Sequence, residues 1–229
     1  MTTFVLVHGA WHGAWCWERL VPELAARGHD AVTMDLPIDD AAATFATYAD
    51  VVTDSCRDRD DVVLVGHSLA GMVLPLVSAR RPVRLQVFLC AVVPSLTGRP
   101  WDDAPPMGEP DYGTEREDDG ALVFRSADAA RRIFYADCAP NDAAWAFARL
   151  RPVRNRSLWD RAYPLTRWPE VRSAAVTCTD DLAIYADYQR AVLRDRLGIV
   201  PVELPGHHSP FLARPAALAG ALVRAAAGG

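Results

Sequence analysis

Gly66-His67-Ser68-Leu69-Ala70-Gly71 sets a serine between small residues two positions before and two positions after it, at the end of the apolar run Val62-Val63-Leu64-Val65. On a tight strand-to-helix turn a serine hydroxyl is lifted out of the backbone, and such a turn has room only for small residues at 66 and 70. A hydroxyl is a weak nucleophile at neutral pH. It needs an adjacent base, usually His, and a carboxylate to orient that base. The sequence holds six histidines. His207 and His208 follow a strand pattern in Leu204-Pro205-Gly206-His207-His208-Ser209-Pro210, and the spacing before Ser-Pro favours His208, with His207 as a solvated neighbour. Thr177-Cys178-Thr179-Asp180-Asp181 offers the carboxylate in the same way. Asp181 is favoured over Asp180, whose alternative is a helix-capping or surface role. An oxyanion formed by attack on a carbonyl needs two backbone N–H donors, one after the nucleophile and one after the first strand. Those are Leu69 and Ala10. The chemistry implied is acyl transfer.

These groups can meet only if the strands before them are parallel neighbours, since loops converge at the carboxyl ends of such a sheet. Thr3–Val7 reads as a buried parallel strand, apolar on both faces. A helix to about Ala26 follows, starting late or bending at Pro22 and closing at Gly28. Asp30–Met34 is the next strand, Phe45–Cys56 a helix, and Val62–Val65 the strand before Ser68. Leu69, Met72, Val73, Leu76 and Val77 fall at helical spacing and predict one amphipathic helix to about Ala79, kinked at Pro75. Leu85–Leu89, Ala174–Cys178 and Val200–Leu204 complete six strands, with helices over Tyr185–Leu197 and from Pro215 onward. The alternation implies a doubly wound, mainly parallel α/β sheet.

That rhythm breaks over residues 95–165, which are rich in Pro, acids and aromatics, among them Trp101-Asp102-Asp103-Ala104-Pro105-Pro106 and Glu115 to Asp119. Ala121–Phe124 reads as a short strand, and Ala127–Tyr135 and Asp142–Leu150 as helices. The expected division is a core of 1–94 and 166–229 with a cap insertion of 95–165. Phe134, Tyr135, Trp145 and Phe147 are expected in the cap's own small core, some of them facing the pocket. Among Trp11, His12, Trp15 and Trp17, Trp11 is the candidate for touching substrate and the rest pack the loop. The group Arg149, Arg151, Arg154 and Arg156 could hold an anion, against the plainer reading of a solvated charged face.

The chain has 229 residues, 51% of them apolar, enough for one well-cored domain. Its net charge of −5 carries no basic excess for a nucleic-acid partner. All 24 basic residues are Arg; with no Lys, Schiff-base and P-loop chemistry are excluded. Five scattered cysteines (Cys16, Cys56, Cys90, Cys138 and Cys178) with no C-x-x-C argue against a disulfide framework or zinc site. There is no leader-like opening and no apolar run of membrane length. The expectation is a cytoplasmic protein with no membrane association, no nucleic-acid partner, and no cofactor or metal.

Phe4–Trp17 (FVLVHGAWHGAWCW), the Ser68 turn and Cys178-Thr179-Asp180-Asp181 resemble the hydroxynitrile lyase and methyl-ester esterase family of α/β-hydrolases, whose triad order is Ser, Asp, His. The similarity covers most of the core and weakens between residues 100 and 130. It implies the α/β-hydrolase fold, a triad of Ser68, Asp181 and His208, and oxyanion amides at Ala10 and Leu69. At the level of the family it also implies a homodimer. Cyanohydrin-cleaving members carry Thr where this chain has Gly9, and Lys just after the triad His, where it has Ser209. Without Lys, the cation that would stabilise departing cyanide is missing, which argues against the lyase. The expected function is a serine esterase acting on an ester of a small or medium apolar acid. Two alternatives stand beside it: a biosynthetic enzyme turning the same triad to dehydration, cyclisation or carbon–carbon chemistry, and a receptor-like binding protein.

Overall fold

The computed structural model describes residues 1–97, 107–155 and 162–228. Six strands form one sheet: β1 (Thr3–Val7), β2 (Asp30–Thr33), β3 (Val62–His67), β4 (Leu85–Leu89), β7 (Ser173–Cys178) and β8 (Val202–Leu204). Their order is β2-β1-β3-β4-β7-β8, and every pairing is parallel. The fold is that of an α/β hydrolase. β1, β3 and β4 are buried along their whole length, as strands covered on both faces must be, and this is why their sequences run apolar without alternation.

The register does the positioning. Val7 pairs with Gly66, His67 with Leu89, and Cys178 with Leu204. The strands thus end side by side, and the loops starting at residues 8, 68, 179 and 205 open on one edge of the sheet.

Helices α1 (Leu20–Ala25), α2 (Phe45–Ser55), α3 (Leu74–Ser78), α6 (Ala186–Leu197), α7 (Pro210–Ala213) and α8 (Pro215–Ala227) cover the two faces. α1 begins at Leu20, so Pro22 falls in its first turn, where a missing N–H costs no helical bond. α2 starts on a capping box in which Thr44 and Thr47 exchange side-chain-to-backbone bonds.

The helix expected from Ser68 to Ala79 is two pieces. A 3-10 turn over Ser68–Met72 is followed by α3, with Pro75 in the first turn of the new helix. Pro75 has no N–H to continue the ladder from Gly71, so the chain restarts there rather than kinking. The one-sided stripe is also absent: Leu69, Met72, Val73, Leu74, Leu76 and Val77 are all buried. Other departures are small. β3 runs on to His67, β8 starts at Val202, and the short helix α7 was not anticipated.

Within residues 107–155, β5 (Thr114–Arg116) and β6 (Leu122–Phe124) form an antiparallel hairpin, followed by α4 (Ala127–Phe134) and α5 (Pro140–Phe147). Val153 bridges to Leu122 on the free side of β6. This part is tied to the loop after β1 at three points. Arg151 N–H donates to the Trp11 carbonyl at 2.7 Å, Trp11 Nε1–H to the Leu122 carbonyl at 2.9 Å, and the Tyr135 hydroxyl lies 2.9 Å from His12 Nε2. The stretch Trp101 to Pro106 and Arg156 lie outside the described residues. No helix among the described residues is long and apolar enough to cross a membrane.

Candidate active site

Ser68 stands at the first position after β3 with φ +55°, a left-handed backbone that a non-glycine residue adopts only when the surrounding structure enforces it. Gly66 is required by space. A Cβ there would lie 2.7 Å from Leu74 Cδ2 and 2.9 Å from the Ala70 carbonyl. The turn and the helix after it close over that position, and the serine is pushed outward.

His208 is fully buried and its Nδ1 lies 2.8 Å from Asp181 Oδ2. Asp181 accepts four bonds in all. Oδ1 takes the backbone N–H groups of Ala183 and Ile184, each at 2.9 Å, and Oδ2 takes His208 and the side-chain amide of Gln189 at 3.2 Å. A carboxylate acting as acceptor fixes the proton on Nδ1, which leaves Nε2 as the basic nitrogen. That atom is buried and has no hydrogen-bond partner among the described residues. Phe134 stacks on the His208 ring, with centroids 5.3 Å apart.

Of the two adjacent pairs, the structure joins His208 to Asp181 and sends the others elsewhere. Asp180 is exposed, and its Oδ2 accepts from Thr179 Oγ1 and from Gly206 N–H, tying together the loops after β7 and β8. His207 N–H points to Asp137 Oδ2 at 3.4 Å, and the residue borders an outer groove beside Asp180.

Ser68, Leu69, Ala10 and Trp11 line one cavity of about 40 Å³, closed by Val92, Met107, Tyr112, Phe134, Ala183 and Ile184. Leu69 is in the first turn after the strand, where an N–H has no helical acceptor behind it. Among the described residues the wall is apolar apart from Ser68 and Tyr112, whose hydroxyl donates to the Ala183 carbonyl. Among the described residues no charged side chain lines it. Trp11 has φ +61° and packs edge-on against Phe124 at 5.3 Å.

Three further histidines lie buried near the turn, and sequence reasoning gave His12 and His67 no specific task. His67 Nε2–H donates to the His208 carbonyl at 2.9 Å, so the residue before Ser68 steadies the loop that carries His208. His12 Nδ1–H donates to the Ala10 carbonyl at 2.8 Å, and its Nε2 accepts from Tyr135. His8 Nδ1–H donates to the Gly9 carbonyl while Nε2 accepts the Leu36 N–H at 2.9 Å. Burial holds all three neutral. It takes His8 down to about 4 and His12 to about 3, and the neighbouring imidazoles His208 and His12 reinforce it at His67.

Gln189 was also missed. It is buried on α6 and receives the Thr177 hydroxyl on its Oε1 at 2.9 Å. The only signal was a Gln eight residues after Asp181 in a helical pattern, which by itself says nothing.

The three described members of the arginine group point to different partners and form no common anion site. Arg149 lies 4.3 Å over the Trp145 ring, Arg151 binds Asp39 and the Leu36 carbonyl, and Arg154 pairs with Asp119. Of the aromatics, Phe134 faces the Ser68 cavity, Tyr135 supports His12, Trp145 packs on Trp15, and Phe147 borders a second groove. Among the described residues no cluster of His, Cys, Asp and Glu could hold a metal ion. All five cysteines are buried free thiols.

The profile of the alpha/beta hydrolase family matches residues 4–221, and the chain belongs to that family. Salicylic acid-binding protein 2 of Nicotiana tabacum is 30% identical, over 97% of this chain and 96% of its own length. Norfluorocurarine synthase 2 of a Strychnos species is 28% identical, over 96% and 93%. Among solved structures, a pyrethroid hydrolase from Sphingobium faniae JZ-2 superposes with a TM-score of 0.78 at 21% identity, covering 99% of this chain and 97% of that one.

Proposed function

We propose that this chain is a serine carboxylesterase acting on esters of small or medium apolar acids, with Ser68, His208 and Asp181 as triad. Membership of the family, together with esterase and methylesterase relatives matched along nearly the whole chain, supports the esterase class. The observation that carries the site assignment is the 2.8 Å bond from His208 Nδ1 to Asp181 Oδ2, with Nε2 left unpartnered. In this reading Nε2 takes the Ser68 proton as Oγ attacks the ester carbonyl, and Asp181 stabilises the resulting imidazolium. The oxyanion rests on the Ala10 and Leu69 amides. The alcohol leaves with the proton from His208. A water activated by the same nitrogen then releases the acid, with no metal or cofactor taking part. Trp11 contacts the substrate, and residues 95–165 act as the cap. The apolar wall supports a neutral, apolar group beside Ser68. The protein works in the cytoplasm, as a homodimer.

The relative named as a synthase favours one second reading, in which the same triad serves a biosynthetic reaction without net hydrolysis. Purified protein treated with a fluorophosphonate and a panel of nitrophenyl esters, beside Ser68→Ala, separates the two. Labelling at Ser68 with ester turnover that the variant loses supports the esterase. Labelling at Ser68 with no ester turned over points to the second reading, and no labelling removes the nucleophile.

A further inference from the structure

Trp11 lines two spaces. One is the cavity of about 40 Å³ at Ser68, close to the 30 Å³ or so that a single water occupies in the liquid. The other is a groove of about 290 Å³ bordered by Val123, Phe124, Phe147, Leu150 and Pro152, with Glu117 and Arg151 also on its lining. Among the described residues Trp11 is the one common to both linings, and the groove is mostly apolar.

The ring is held in this place. Nε1–H donates to the Leu122 carbonyl, the Trp11 carbonyl accepts from Arg151, and the indole packs against Phe124 at 5.3 Å and Phe134 at 5.8 Å. A left-handed backbone at a tryptophan is retained only where surrounding contacts enforce it. Removing the side chain does not strip Leu122 of its partner, since its carbonyl also accepts the Val153 N–H at 3.1 Å.

We infer that Trp11 is a partition that sets the chain length of the ester this site accepts, dividing a short pocket at Ser68 from an apolar subsite for unbranched chains of about six to eight carbons. This rests on the esterase reading. With the indole in place, the small cavity leaves little room for a chain running toward Trp11 from Ser68. Without it, each further methylene enters apolar surroundings, and burial of a methylene raises kcat/KM by roughly fourfold.

The test is a nitrophenyl ester series from acetate to octanoate and an alkyl acetate series from methyl to octyl, on wild type and Trp11→Ala. The ratio of kcat/KM for the longest to the shortest member is expected to rise by roughly several hundredfold in one of the two series. Adding Leu150→Trp to Trp11→Ala refills the groove and is expected to abolish most of that rise. Trp11→Leu, which keeps an apolar wall, should give an intermediate ratio and serves if the alanine variant does not fold. Folded variants whose ratios match wild type in both series overturn the partition. Calorimetric binding of 1-octanol to Ser68→Ala, with and without Trp11→Ala, reads the same partition without turnover. Octanol binding gained only with Trp11→Ala upholds the partition even if wild type hydrolyses no ester, an outcome that sinks the esterase reading alone. No gain in octanol binding counts against the partition.

Discussion

The Gln189 side-chain amide donates to Asp181 Oδ2 at 3.2 Å and to the Ile184 carbonyl at 2.6 Å, so a residue of α6 and the loop after β7 are locked around one carboxylate. Reversing the amide would set its oxygen against both acceptors, and the Thr177 hydroxyl is placed to donate to the oxygen in its present orientation. Oδ2 therefore shares its charge between Gln189 and His208. Gln189 is a positioning residue for the proposed triad.

Replacing it with leucine removes a donor to a charged acceptor, worth about 1.5–3 kcal/mol, and leaves the Ile184 carbonyl without it. For Gln189→Leu we expect ester kcat to fall about tenfold and the unfolding free energy by about 2 kcal/mol. The loss of kcat should persist when the rate is expressed per active site labelled by a fluorophosphonate. A variant that loses only folded protein would keep the wild-type kcat per labelled site, and that result would count against the positioning role.

Gly9 leaves no room for a side chain beside Ser68, the proposed nucleophile. A Cβ on it would lie 2.7 Å from Ser68 Cβ and 3.0 Å from the His67 carbonyl. For Gly9→Thr the hydroxyl of Ser68 must shift, and a displacement near 1 Å lowers kcat by on the order of a hundredfold. The overpacking should cost about 1–3 kcal/mol of stability. Esterase kinetics beside chemical unfolding check both, and near-normal kcat would show that the loop yields without moving Ser68.

The neutral histidines set an acid limit. In the folded chain His8 and His12 are driven down to about 4 and about 3, and His67 well below the ordinary 6.5. Above pH 6.5 the folded and unfolded chains are alike at these groups. Below it the unfolded chain takes up protons that the folded one refuses, so stability falls as pH falls, down to about 4 for His8 and about 3 for His12. At pH 5 the loss is about 2 kcal/mol for each of those two. Urea unfolding at pH 7.5 and pH 5 should differ by at least about 4 kcal/mol. Equal midpoints with equal slopes would contradict neutral burial.

Tyr135→Phe deletes the hydroxyl that His12 Nε2 accepts from and leaves a buried nitrogen unpaired, at a cost of about 1–3 kcal/mol. His12 in turn holds the Ala10 carbonyl. The variant should therefore lose ester kcat several-fold beyond any loss of folded protein, with KM little changed. Unfolding curves beside active-site titration separate the two effects. A stability loss with full activity per labelled site would mean that Ala10 is held without His12.

The parts of this molecule that could be read in advance are those whose signal is local. Val62 to Val65 had to be a covered strand because it is apolar at every step before the turn, and the loops after β7 and β8 carried the acid and imidazole groups within a few residues of strand ends. What stayed hidden depends on partners far along the chain. Arg151 and Arg154 look like free cations until Asp39 and Asp119 are brought beside them. β5 is Thr-Glu-Arg, with no alternation to mark a strand, and exists because β6 pairs with it. The split at Pro75 was half visible. Its missing N–H was plain, but whether a helix bends or restarts depends on how tightly its surroundings close, and here every neighbouring apolar side chain is buried.

The loop after β1 hangs from residues 122, 135 and 151 by three hydrogen bonds, one of them to the carbonyl directly after Ala10. The segment over the pocket is therefore not an interchangeable cassette. A chimera that grafts the 107–155 segment of a relative onto this sheet changes the seat of the Ala10 amide along with the shape of the pocket. Recombination within the family should succeed only when crossover points carry the loop after β1 and the 107–155 segment together. Laboratory shuffling that exchanges them separately should yield folded proteins that keep the proposed triad and show little rate.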